Sequence, residues 1–345
     1  MDSVTQAVLG AGIQGALLGR QQGRKALFYG AVLGTLPDLD VIMSYPDPVS
    51  AMTHHRGFSH SLLVLTGAAV LATWLVRRIW PRADYGAGRL FLAVWLALIT
   101  HPLLDAFTSY GTQLLWPWEP VPQSWSSIFI IDPVFTLPLL TAVLAGAVMG
   151  LRGGARPALG WTLGFCGLYL CFSLAGKTLA EHRVTAALRG QGVSVDGVFS
   201  SPMPLNTLLW RVVVRSGDQY HEAVSGLFDR HSPESLALPL NPQLAGALAQ
   251  SPEYARLDWF TGGWLRRDEI DGHLVVSDLR MGLPGYYTFR FVMGERGADG
   301  AWAAVTPYRW PSERGGWPEL RRLLARIADS SRPLPLAQWA QQAGR

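Results

Sequence analysis

The chain has 345 residues, 49% of them hydrophobic and 16% charged, with a mean hydropathy of +0.18. This is too apolar for an ordinary pair of soluble domains and puts a membrane component first. The net charge of +4 is mild, and no Lys/Arg block is long enough to follow a phosphate backbone, which argues against a nucleic-acid partner.

Charge is unevenly spread: residues 1–176 hold 10 of the 29 Lys and Arg and 8 of the 25 Asp and Glu. The expected architecture is a mainly α, polytopic membrane bundle over 1–176 followed by a soluble α+β domain over 177–345. In chain order, runs 4–18 and 26–36 are short and Gly-rich, whereas 61–76, 90–104, 133–151 and 157–176 are long, or nearly long, enough to cross about 30 Å of hydrocarbon. That predicts four to six spans, about six if both early runs cross. The N-terminus opens on Asp2 instead of a basic region, so it does not read as a cleavable signal. Cys166 and Cys171 share an apolar run and read as buried free thiols.

Short cytoplasmic loops collect Lys and Arg. Loop 19–25 carries Arg20, Arg24 and Lys25; loop 77–89 carries Arg77, Arg78, Arg82 and Arg89; turn 152–156 carries Arg152 and Arg156. The alternate connections hold only Arg56 in 44–60 and no basic residue in 105–132. The basic side is expected to be cytoplasmic, which puts residues 177–345 outside, in the periplasm, of a bacterial inner membrane.

On that topology Asp2, Asp38, Asp40, His54, His55, His60, His101, Asp105 and Asp132 all fall at outer span ends or in outer loops. Ionisable groups at membrane depth cost about 2.5–3.5 kcal/mol each even on lenient scales, so they persist where they have partners or a task. His101 and Asp105 are i,i+4 and share a helix face. Asp38 and Asp40 are two apart and share a side in extended chain. His55 and His60 converge only if His55 lies in the loop and His60 opens the next span. Imidazoles mixed with carboxylates suit Zn²⁺, with Mn²⁺ or Fe²⁺ next, better than Mg²⁺ or Ca²⁺. Structural alternatives stand beside this: His101 as an interhelical hydrogen bonder, Asp38 and Asp2 as caps, Asp132 as an N-cap with Pro133 at N1, and Arg56 as a carboxylate partner.

The segments Met1-Asp2-Ser3-Val4-Thr5, Leu36-Pro37-Asp38-Leu39-Asp40, His55-Arg56-Gly57-Phe58-Ser59-His60-Ser61 and His101-Pro102-Leu103-Leu104-Asp105, followed by Tyr110-Gly111-Thr112, resemble the YdjM-like family of predicted membrane-bound metal-dependent hydrolases over roughly residues 1–150. The resemblance implies an inner-membrane hydrolase using a divalent metal, with Asp38, Asp40, His55, His60, His101 and Asp105 as its site. Many members carry His where this chain has Gln6. The His-x-x-x-Asp pair is more distantly similar to ligand spacing in the zinc phospholipase C and S1-type nuclease group.

Beyond 176, Lys177 to Leu188 reads as an amphipathic helix, strands are expected at 208–215, 273–279, 286–293 and 301–308, and helices around 242–250, 252–261 and 318–328. There is no P-loop, dinucleotide fingerprint or Gly-x-Ser-x-Gly. The expected activity is hydrolysis of a lipid or lipid-linked phosphoester, or else an ester or amide. His55, His60, His101 and Asp105 are the expected ligands, and Asp38 and Asp40 ligate the same or a second ion. Asp40 or Asp132 is the expected general base, and Arg56 is expected to stabilise developing charge. The competing readings are an ion or proton pathway and a membrane-anchored interaction protein.

Overall fold

The structure, a computed structural model, describes residues 1–81, 83–312 and 315–342; Arg82 lies outside the described residues. In chain order the helices are α1 (Ser3–Gln22), α2 (Lys25–Thr35), α3 (Pro48–His54), α4 (Leu62–Ile79), α5 (Ala87–Ala106), α6 (Pro133–Met149), α7 (Ala155–Gly190), α8 (Pro252–Thr261), α9 (Trp317–Ala328) and α10 (Leu336–Gln342). Contacts divide the chain into one compact unit of Met1–Met43 with His55–Ser173 and another of Ser44–His54 with Leu174–Arg345.

Among the described residues, three helices are long and apolar enough to cross a membrane, α4, α5 and α7, which corrects the expectation of four to six. α6 is apolar but has 17 residues, about 26 Å of helical rise. α2 has 11, about 16 Å. α1 reaches 20 residues, but Gln6, Gln14, Gln21, Gln22 and Arg20 lower its hydropathy, and most of it is buried.

α1 is the packing axis of the first unit. Its apolar face meets α6 and α7 through Val8, Leu9, Ile13, Phe135 and Leu139, while Leu18 joins Leu65, Leu90 and Leu98 of α4 and α5. Its contact with α2 is backbone on backbone: a Cβ on Gly10 would overlap the Gly30 carbonyl oxygen, and one on Gly34 would stand 2.5 Å from the Gln6 carbonyl oxygen. Gly30 and Gly34 are the small-xxx-small spacing that lets apolar helices touch without a hydrophobic driving force. Cys166 is buried and Cys171 is exposed, because five positions on a helix turn the second thiol to about 140° from the first.

The second unit contains two antiparallel four-stranded sheets. β1 (Gly197–Pro202), β2 (Leu209–Ser216), β3 (Gln219–Gly226) and β4 (Glu234–Pro239) form one; β5 (Leu265–Ile270), β6 (His273–Asp278), β7 (Arg290–Arg296) and β8 (Trp302–Arg309) form the other. Strands expected from composition appear as β2, β6, β7 and β8, with β7 starting at 290 instead of 286. β1, β3, β4 and β5 were not expected, and 242–248 is a 3-10 helix. The missed strands carry polar residues that the fold buries in pairs, as Glu222 of β3 does against Arg211 of β2. α9 is tied to the first sheet by Arg326, 3% exposed, whose guanidinium donates to Asp229 at 2.6 and 2.8 Å and to Glu234 at 2.8 Å.

Two outcomes follow from this packing. Gly30→Ala is expected to destabilise the helical unit by at least about 1–3 kcal/mol, the usual cost of overpacking. Gly67→Ala, where an added methyl meets nothing within 4 Å, should leave the detergent-solubilised protein's melting temperature unchanged. Arg326→Ala should cost about 3 kcal/mol by stranding two carboxylates. Burial alone would raise the Asp229 pKa, but the bonds from Arg326 outweigh it and hold it low. Its stabilising contribution is therefore present above the ordinary carboxylate range and is lost as pH falls through the lowered value. Arg326→Ala should remove that acid-sensitive component from a pH series of melting curves.

Candidate metal centre

Three chain segments bring the clustered acids and histidines of the first unit together. After α2, Pro37 opens a 3-10 turn over Leu36–Ile42 that carries Asp38 and Asp40. His60 closes a second short turn, Phe58–His60, just before Ser61 caps α4 by accepting from the Val64 amide. His101 and Asp105 stand one turn apart near the end of α5. His60, His101 and Asp105 are at most 1% exposed.

Four atoms face one another. His60 Nε2 is 3.5 Å from Asp38 Oδ1 and 3.3 Å from Asp105 Oδ2; His101 Nε2 is 3.3 Å from Asp38 Oδ1 and 3.6 Å from Asp105 Oδ2. Tetrahedral ligands about 2.05 Å from one ion stand about 3.3 Å apart, so these spacings match a single-ion cage of two imidazoles and two carboxylates. His60 Nε2, His101 Nε2 and Asp105 Oδ2 are also buried atoms without a hydrogen-bond partner, as ligand atoms are when the ion is what satisfies them.

The opposite ring nitrogens set the tautomers. His101 Nδ1 meets the Gly34 carbonyl oxygen at 2.6 Å; a carbonyl only accepts, so Nδ1 carries the proton and Nε2 a lone pair. His60 Nδ1 meets Ser59 Oγ at 2.9 Å, and that hydroxyl donates onward to Asp40 Oδ2 at 2.8 Å, which again leaves Nε2 as the lone-pair nitrogen. Protons and a divalent cation compete for these atoms. Burial disfavours a charge on His60, but Asp105 and Asp38 outweigh it and raise its pKa. Burial likewise pushes Asp38 up, and His101 and His60 overcome it, holding the carboxyl well below the usual range.

Asp105 is braced from its other side. Its Oδ1 accepts from Gln6 Nε2 at 3.1 Å and pairs with the Met1 amino group, and Arg56 Nε lies 3.2 Å from its Oδ2. Arg56, left-handed at φ 62 and 4% exposed, also donates to Thr108 Oγ1 at 3.2 Å and lies 4.7 Å over the Tyr110 ring. Asp40 accepts from His55 Nδ1 at 2.9 Å, from the Arg56 amide at 3.1 Å and from Ser59. Asp38, Asp40 and His55 also offer atoms within 4.8 Å of one another. Six of the sequence-derived residues therefore converge, with Arg56 against them.

Asp132 is elsewhere: it caps α6 through the Val134 and Phe135 amides and accepts from Tyr169 Oη at 2.9 Å. Its N-cap alternative is the one observed, with the two amides on one oxygen and the Tyr169 hydroxyl on the other. Asp2 likewise caps α1. His54, in the other unit, stacks on Tyr45 and bonds the Ser50 carbonyl. Sequence reasoning missed Gly34, Ser59 and Gln6 as supports. Ser59 was the legible one, standing between the two histidine positions.

The model of the YdjM inner membrane protein family matches residues 1–180. Over 316 aligned residues the chain is 28% identical to the uncharacterized protein YfhP of Bacillus subtilis strain 168, covering 84% of this chain and 89% of that one. Over 98 residues it is 37% identical to the inner membrane protein YbcI of Escherichia coli K12, covering 28% of this chain and 55% of that one. No solved structure matches. With more than half of its length matched, and all six converging residues inside that match, the chain belongs to the YdjM inner membrane protein family.

Proposed function

We propose that this membrane protein is a metal-dependent hydrolase acting on a lipid-linked phosphoester, with Asp38, His60, His101 and Asp105 as the ligands of one divalent ion, Zn²⁺ by its donor set and Mn²⁺ or Fe²⁺ after it. The observation that carries the reading is the pair of lone-pair Nε2 atoms facing two carboxylate oxygens at 3.3–3.6 Å, an arrangement stable only with a cation or extra protons between them. A divalent ion there supplies Lewis acidity and an acidified water.

The chain's own residues do the rest. Asp40 holds His55 through Nδ1, leaving Nε2 to take a proton from the attacking water and return it to the leaving alkoxide as the P–O bond breaks. This makes Asp40 and His55 an orienting carboxylate and a general base, with Asp38 as the carboxylate nearest a second ion if one binds. Arg56 acts through Asp105, whose charge it balances, and so is a positioning residue. The lipid-linked substrate is supported by a rim of exposed apolar side chains beside the ligands: Leu39, Val41, Ile42, Met43 and Phe58. The loop charges support an outward-facing site and a periplasmic domain over 177–345, carried by the bundle over 1–176.

Elemental analysis of purified protein tests the ligands: wild type should hold about one equivalent of divalent metal, and Asp38→Ala and His101→Ala should each lose it. Full metal in both variants overturns the ligand set. His55→Ala should keep its metal while hydrolysis of a lipid phosphoester falls about 10²–10⁴-fold. Loss of metal in that variant would make His55 a ligand instead.

A further inference from the structure

At the other end of the first unit, about 22 Å along α1 by helical rise from Gln6 to Gln21, a cleft of about 1120 Å³ opens between α2 and α4. Its walls are apolar, from Val32 and Leu33 of α2, Ala72 and Val76 of α4, and Leu90 and Val94 of α5. Its end is polar, with Gln14, Gln21, Gln22, Lys25 and Arg152, and no acidic residue is among its described lining. Neighbouring basic groups are engaged: Arg24 donates to the Ala147 and Val148 carbonyls, and Arg77 to those of Ala83 and Tyr85. Lys25 and Arg152 make neither ion pair nor hydrogen bond among the described residues.

Gln14 gives an independent sign of a ligand. It is 2% exposed, lines the cleft, and bonds Gln22 through one end of its amide at 3.3 Å while the other end is buried without a partner. Gln21 Oε1 is buried and unpartnered as well. Whichever way the Gln14 amide is turned, one polar end awaits a donor or acceptor. Tyr29 and Trp80, both exposed, also line the cleft, and amphipathic rings favour the headgroup layer.

We propose that this cleft seats one anionic phospholipid. Its acyl chains run along Val32, Leu33, Val76 and Val94, its glycerol backbone meets Gln14 and Gln21, and its phosphate lies between Lys25 and Arg152. An apolar cleft beside membrane-crossing helices excludes water and fills with lipid, and two uncompensated cations at its polar end select the charged headgroup. The occupant is held at the opposite end of the helices from the His–Asp cluster, so it is a resident lipid and not a substrate.

The test uses the full chain in nanodiscs of equimolar phosphatidylglycerol and phosphatidylcholine, released into detergent for native mass spectrometry. Wild type is expected to retain one phosphatidylglycerol, preferred about 30-fold, the combined effect of two basic groups near a charged surface. Lys25→Gln with Arg152→Gln should lose that preference while circular dichroism stays unchanged. Val76→Trp, which narrows the apolar wall of the cleft, should weaken retention of phosphatidylglycerol. Equal retention of both lipids by wild type, no loss of preference in the double variant, or a lipid-free dimer of wild type would each overturn the proposal.

Discussion

The hydrogen bond from His101 Nδ1 to the Gly34 carbonyl is the constraint on which the geometry of the candidate metal centre depends. It joins the C-terminal part of α5 to the last turn of α2, and Asp38 follows four residues later on the same backbone. The bond does two things at once: it fixes the imidazole's tautomer and sets how far the 3-10 turn with Asp38 stands from α5. Gly34 is available for it because α2 lies against α1 so closely that a methyl at this position would press on the Gln6 carbonyl. Gln6 in turn holds Asp105. Glycines in the helix contact, a backbone carbonyl and two cluster residues thus form one connected path, and Gly34 and Gln6 each take part both in the α1–α2 crossing and in holding a cluster side chain.

This coupling explains what could be read from the sequence and what could not. Loop charge and hydropathy place Asp38, Asp40, His55, His60, His101 and Asp105 at one end of a helical bundle, and the i,i+4 spacing of His101 and Asp105 makes their cooperation legible. The condition set on His55 and His60 is met, since His55 lies in the loop and His60 ends the turn before α4. The number of crossings was not legible in the same way. α1 is as long as a span, yet its glutamines are buried against other helices, and hydropathy cannot separate a polar residue facing lipid from one facing protein.

Asp132 shows the same limit at a single residue. Aspartate before proline at the start of an apolar helix fits either a cap or a catalytic acid, and the cap becomes visible only through the Val134, Phe135 and Tyr169 donors. Asp40, read as a ligand of the same ion as Asp38 or of a second one, has three donors on its carboxylate and also offers an oxygen within 4.8 Å of ligand atoms of Asp38 and His55. In the second unit, β3 and its neighbours escaped notice because their polar residues are satisfied inside the fold by partners distant in sequence, as the Arg211 and Glu222 pair is.

Exposure varies across the cluster in a way that bears on its chemistry. The side chains of His60, His101 and Asp105 are fully shielded, whereas Asp38, His55 and Asp40 keep 24%, 22% and 12% of theirs open. Access is therefore one-sided, along the 3-10 turn, and that turn also presents Leu39, Val41 and Ile42 outward. A water-borne substrate would have to cross an apolar rim to reach two buried imidazoles, which is unfavourable. On the proposed reading, a substrate whose polar linkage is attached to a hydrocarbon chain would have the matching order of groups, with its tail against the rim and the linkage at the partly open carboxylate and His55. The buried side chains of Asp105 and the two imidazoles close the far side to water, where a low dielectric would strengthen their hold on a cation under the proposed reading.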